Sequence, residues 1–160
     1  MNKSLLLKDI LHELESLHQV AVEAAMQAYN TATHDENIAE NKYDTLGLEA
    51  AYLAQGQSQR VAECASDMAK YKKLSAITFT SETAIGIGAV VDLVDESGRT
   101  QSLFIGPAAG GLKLTSQQVE LTIVTPSAPL GAALVGHYVD DEIKVLVGGG
   151  EKHYEVVAVC

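Results

Sequence analysis

The first half of this 160-residue chain contains no proline and only two glycines, Gly47 and Gly56. Within it, apolar residues recur at Leu7, Ile10, Leu14, Leu17, Ala21, Ala24 and Ala28, alternating steps of three and four. That spacing keeps one narrow apolar stripe facing a partner helix over many turns, and it fits little else. The stripe passes from Leu and Ile to Ala along the chain, so the helical pair is expected to be slender at its far end. Ser4 is placed to cap the N-terminus, and Lys8, Glu13 and Glu15 fall on outer faces. After Tyr29 the pattern stops in NTATHDEN, residue types that favour turns and caps. A second helical run carries Tyr43, Leu46, Ala50, Leu53, Gln57, Val61, Cys64, Met68 and Tyr71 near one stripe. Two helices joined by a short polar segment most simply fold back as an antiparallel hairpin. At about 28 residues each they would span roughly 42 Å. Such a pair exposes most of its surface and needs an attached domain or a partner at its base. The chain is expected to be a monomer, with a homodimeric four-helix assembly as the rival reading.

Residues 34–44, HDENIAENKYD, fall at the expected tip and hold four carboxylates (Asp35, Glu36, Glu40, Asp44) beside one cation, Lys42. Taken alone, they are a solvated turn with Asp35 and Glu36 near the positive N-terminus of the second helix. His34 reads as a turn residue, and Tyr43 as seam packing or a surface for stacking on a base. Lys42, Arg60, Lys70, Lys72 and Lys73 read as a solvated face balancing an acidic chain.

From Ser75 onward the helical periodicity ends. Residues 90–94 and 101–105 flank Asp95-Glu-Ser-Gly98, a hairpin signal, and 119–124 alternates as a further strand. Pro126 and Pro129 bracket a helix start, and 130–134 is short and ends before Gly136. Residues 143–147 and 154–159 surround Gly148-Gly-Gly150. The expected fold class is α+β: a coiled-coil hairpin over 1–76, then a small antiparallel sheet with one short helix over 77–160. The stretch Gly106-Pro-Ala-Ala-Gly-Gly-Leu-Lys113 lacks phosphate-loop spacing and reads as a flexible sheet connection.

A formal net charge of −10 and a pI near 4.8 argue against direct nucleic-acid binding as the main source of affinity. Cys64 and Cys160 form no disulfide framework, and no metal-type Cys/His spacing is present. Leu5, Leu6 and Leu7 are too few for a signal peptide, and no apolar run approaches the roughly 20 residues of a membrane span. A cytoplasmic protein without membrane contact is expected, with no tightly bound cofactor.

Two blocks resemble the GreA/GreB family of bacterial transcription elongation factors. In the hairpin it is Asn37-Ile-Ala-Glu40-Asn41, similar to an acid, two variable residues and Glu-Asn. In the second half it is Ala128-Pro129-Leu130 through Leu134-Val135-Gly136, then Asp140-Asp141 and Tyr154-Glu155-Val156-Val157. The resemblance implies an FKBP-like C-terminal domain docked on RNA polymerase, with the coiled coil entering the secondary channel. Pro129, Leu130, Leu134 and Gly136 are then candidate docking residues. Tip acids of the family help hold a second Mg²⁺ so that the polymerase cuts backtracked RNA, which makes contact with nascent RNA and template indirect. Mg²⁺ suits such a site because it takes one or two carboxylates and keeps several waters. Glu40 is the acid that carries over, with Asp35 or Glu36 as the second ligand. Asn37 stands where the family carries its metal-binding Asp, and a neutral amide is a weaker ligand. The chain is expected to be an accessory factor and not an enzyme. A channel-occupying inhibitor without cleavage activity and a structural coiled-coil adaptor are the alternatives. Prolyl isomerase activity is disfavoured, since Phe79, Phe104, Tyr138 and Tyr154 are too few to line a proline pocket.

Overall fold

A computed structural model describes residues 1–34, 38–40, 43 and 45–160. Two long helices, α1 (Lys3–Thr33) and α2 (Leu46–Lys72), precede six strands and a short helix. The strands are β1 (Val90–Asp95), β2 (Thr100–Ile105), β3 (Lys113–Ser116), β4 (Val119–Val124), β5 (Glu142–Val147) and β6 (Gly150–Val159). Helix α3 (Pro129–Leu134) lies between β4 and β5 in sequence. Contacts divide the chain into one unit of Met1–Leu11 with Lys70–Cys160, and another of His12–Ala69. The start of α1 and the end of α2 therefore share one unit, which makes the helices antiparallel. No helix among the described residues is long and apolar enough to cross a membrane.

The unit His12–Ala69 holds only the two helices and their connection, so burial within it reports how they pack. On α1, Leu14, Ala21 and Ala28 are buried at seven-residue intervals, as the periodicity predicts. Beside half-buried Asp67, the buried and half-buried positions of α2 within this unit are Gly47, Ala50, Ala54, Gln57, Val61, Cys64 and Met68. That is an unbroken three-four alternation, but it is not the stripe expected from the larger side chains. Leu46 and Leu53 are exposed at 51% and 56%, and the smaller neighbours Gly47 and Ala54 turn inward instead. The heptad repeat decides the register, and the two leucines fall one position outside it. The helix start also differs from expectation. Asn2, not Ser4, caps α1, its Oδ1 accepting the Leu5 N–H at 3.1 Å.

In the other unit the sheet order is β3-β4-β2-β1-β6-β5. It is mixed: β2 pairs with β4 in parallel, while the remaining neighbours are antiparallel. The expected all-antiparallel sheet misses this because β3, a short edge strand, occupies the crossover. Residues 106–112 are correspondingly tied down and do not form a loose connection. Gly106 N–H donates to Val124 O at 2.9 Å, Gly111 N–H to Ile123 O at 2.8 Å, and Leu112 O accepts from Ile123 N–H at 2.8 Å. At the β1–β2 turn Asp95 accepts hydrogen bonds from Ser97 and Arg99, and Gly98 supplies the positive φ of 79°. The Ser97 hydroxyl, followed by the Arg99 backbone N–H, holds the Asp95 carboxyl down to about 2. Its stabilising contribution is present above the ordinary value of 3.8 and is lost as pH falls through about 2.

One sheet face and α3 enclose a core of Val91, Leu93, Leu103, Ile105, Leu134, Ile143, Val145 and Val156. A bulge between Asp92 and Leu93 in the β1–β6 pairing turns Val156 inward and leaves Val157 42% exposed. Phe104 stacks on Tyr71, with ring centroids 6.4 Å apart. Tyr71 is 1% exposed and donates its hydroxyl to Ala108 O at 2.9 Å. Gly106 makes room for that hydroxyl, since a Cβ there would lie 2.2 Å from it. At the other helix end, Asn2 and Gln117 exchange two hydrogen bonds of 2.9 Å, and buried Ser116 donates to Asp9.

Two consequences are measurable by urea denaturation. Tyr71→Phe leaves the buried Ala108 carbonyl without this donor and should cost about 1–3 kcal/mol. Ala50→Leu overpacks the seam and should cost about 1–3 kcal/mol, whereas Leu53→Ser should change stability by less than about 0.5 kcal/mol. The reverse ranking of the last pair would overturn the register.

Candidate functional site

Two surfaces are candidates, one in each unit. The first surrounds the connection between α1 and α2. The last turn of α1 carries Thr31 and Thr33, whose hydroxyls bond back to the carbonyls of Gln27 and Tyr29 at 3.0 Å. Thr45 opens α2: its carbonyl accepts the Glu49 N–H at 2.8 Å, and its hydroxyl donates to the Glu49 carboxylate at 2.8 Å. The Glu49 charge is also favourable beside the positive end of the helix. Between the helices, Ile38, Ala39, Glu40 and Tyr43 are all exposed. Asp35, Glu36, Asn37 and Asn41 lie outside the described residues, as do Lys42 and Asp44. Glu40 thus lies exposed at the turn. Among the described residues no group of three or more His, Cys, Asp or Glu side chains is arranged to hold a metal ion.

Around this turn the surface is unexpectedly apolar. Val20, Met26, Tyr29, Ile38, Tyr43, Leu46, Leu48, Tyr52 and Leu53 are each more than half exposed. Seven of them fall on several heptad positions of the two helices, and Ile38 and Tyr43 lie in the connection, so the exposed apolar side chains are not confined to one flank. Over 24–59 the sequence supplies five acids and one cation, Lys42. Periodicity reading missed this ring because it assigned Tyr43, Leu46 and Leu53 to the seam. The signal was nevertheless present, in apolar residues outnumbering the seam positions available to them.

The second surface surrounds α3. Pro129 opens this helix, where its missing N–H is harmless. Leu130 is half-buried against the core. Gly131 sits on the end of β4, where a Cβ would lie 2.0 Å from Thr125 O. Leu134 is 0% exposed, so its side chain is a core residue and cannot be a docking contact. Gly136 adopts a φ of 89° and donates its N–H to Ile85 O at 2.9 Å, which closes the turn after the helix. Asp141 likewise works within the fold, accepting the Tyr138 N–H at 2.8 Å. Most of this block therefore specifies structure. The large side chains it leaves outside are Val135, at 40% exposure, and Tyr138, at 44%.

The described chain is thus a helical hairpin joined to a mixed sheet that carries the α3 block. The family model described as transcription elongation factor GreA/GreB, C-terminal, matches residues 80–160, and the chain belongs to that family. The transcription elongation factor GreA of Rhodospirillum rubrum is 28% identical over 147 residues, covering 92% of this chain and 88% of that protein. The transcription inhibitor protein Gfh1 of Thermus thermophilus is 29% identical over 119 residues, covering 73% and 72%. The crystal structure of GreA factor homolog 1 from Thermus thermophilus aligns over 94% of both chains, at 21% identity and a TM-score of 0.39.

The two classes of α3 residue separate by stability. Leu134→Ala should lose about 2–5 kcal/mol in thermal or urea unfolding, while Val135→Ser should change it by less than about 0.5 kcal/mol. Equal effects would contradict the assignment of Leu134 to the core and Val135 to the surface.

Proposed function

We propose that this chain regulates transcript elongation by binding RNA polymerase at its secondary channel, with the hairpin turn directed to the catalytic centre. The observation that carries the reading is the ring of exposed apolar side chains around the turn end of the hairpin. A helical surface that is apolar on several sides is suited to a protein-lined cavity and unsuited to water. Membership of the GreA/GreB family supplies the class of partner. The acidic balance of the chain favours contact with protein over direct contact with RNA or DNA, which the polymerase itself holds.

In this reading the chain is a monomeric accessory factor in the cytoplasm, with no active site of its own. The α3 surface docks on the polymerase through Pro129 and Leu130, together with Val135 and Tyr138 beyond them. Glu40 supplies one carboxylate toward the polymerase's Mg²⁺, and Asp35 or Glu36 supplies a second. When bound there, the ion neutralises charge developing on the phosphate and lowers the pKa of its water. Asn41 and Asn37 offer amide groups beside these acids.

Asn37 supports a second reading. With an amide at the position of the expected acid, the tip occupies the channel without promoting cleavage, and the factor slows synthesis.

A backtracked, stalled elongation complex separates the two. In the first reading the wild-type protein shortens the transcript, and Glu40→Gln reduces that rate at least tenfold while still binding polymerase. In the second, the wild type slows extension without shortening RNA, and Asn37→Asp gains cleavage. Failure of the immobilised protein to retain polymerase would overturn both.

A further inference from the structure

The first turn of α1 meets the segment before β1 around one amine. Lys3 Nζ donates a hydrogen bond to Gly88 O at 2.8 Å and lies 4.2 Å from the centre of the Phe79 ring. Beside it is a cavity of about 340 Å³ lined by Met1, Ile77, Thr78 and Cys160, among others. A lysine nitrogen has three directions besides its own carbon. Gly88 O takes one and the Phe79 face takes another, which leaves a third, and Lys3 is itself among the residues lining the cavity. In the neutral amine this third direction is the lone pair.

We propose that the Lys3 amine is a site of covalent acylation by small uncharged acyl groups carried on acyl phosphates. The nitrogen attacks the carbonyl carbon, a C–N bond forms, the carbon–oxygen bond to phosphate breaks, inorganic phosphate leaves, and the amine proton passes to solvent. The acyl group enters the cavity along the third direction. The product amide keeps one N–H, which continues to serve Gly88 O, so the fold need not open to accept the modification. What is lost is the cation over Phe79.

Burial pushes the Lys3 ammonium down to about 8, against the opposing pull of negative charge at Cys160. Near pH 8 a larger share of Lys3 is then free amine than of an ordinary exposed lysine. The exposed lysines Lys8, Lys72 and Lys152 provide the internal comparison.

The test uses the full chain with acetyl phosphate at pH 8, with the initial acetylation rate at each lysine read by peptide mass spectrometry. Lys3 should react about tenfold faster than Lys72 in the folded protein, and at the same rate in concentrated urea. Thr78→Trp, which fills the cavity from an exposed position, should bring Lys3 down to the rate of Lys72 without changing the rate at Lys72. A folded-state rate at Lys3 no higher than at Lys72 would overturn the proposal. So would an undiminished preference in Thr78→Trp protein whose melting temperature is unchanged.

Discussion

The structure depends on how the two free ends of the helical hairpin are fixed. An isolated pair of helices buries too little to stand alone, and here both ends are built into the sheet unit. Tyr71, in the last turn of α2, passes its ring against Phe104 and its hydroxyl over Gly106 to Ala108. Asn2 and Asp9, in and before the first turns of α1, are held by the β3–β4 turn and the end of β3. That turn places Gln117 and Gln118 at φ of 51° and 67°, values costly for residues with a Cβ. The paired amide bonds of Gln117 to Asn2 offset part of that cost. Each helix is thus joined covalently to one segment of the molecule and non-covalently to another.

Much of this was legible in the sequence, and the exceptions have physical causes. The α1 seam was read correctly because its large and small apolar residues obey one repeat. On α2 the choice between Leu53 and Ala54 was made by size, yet burial follows the repeat, which the glycine and alanines satisfy. Strand β3 escaped notice because Lys-Leu-Thr-Ser has one apolar residue and lies at an edge, where hydrogen bonds and not burial define it. The α3 block was recognised as a unit, but its residues divide. Gly131, Leu134 and Gly136 are there for close approach, packing and backbone conformation. A motif kept for folding identifies a family without marking the residues that touch a partner.

The two units carry different kinds of functional information. The sheet unit establishes the family through residues 80–160. The hairpin carries one described, exposed tip acid, an asparagine where a second was expected, and exposed apolar side chains around the turn. Apolar contact gives affinity that salt does not weaken, while an amide in place of an acid reduces the pull on a metal ion. In the proposed reading binding and chemistry are therefore separable, and occupancy of the channel would not depend on stimulation of cleavage.

The central claim is the location of the hairpin turn at the polymerase catalytic metal, and it is tested most directly without any requirement for activity. With Fe²⁺ in place of Mg²⁺ in the polymerase active centre, locally generated hydroxyl radicals cut whatever backbone lies close to the ion. The account predicts cuts in this chain confined to about residues 34–45, lost when excess Mg²⁺ displaces the iron. Cuts within residues 80–160, or a bound chain left uncut, would contradict it.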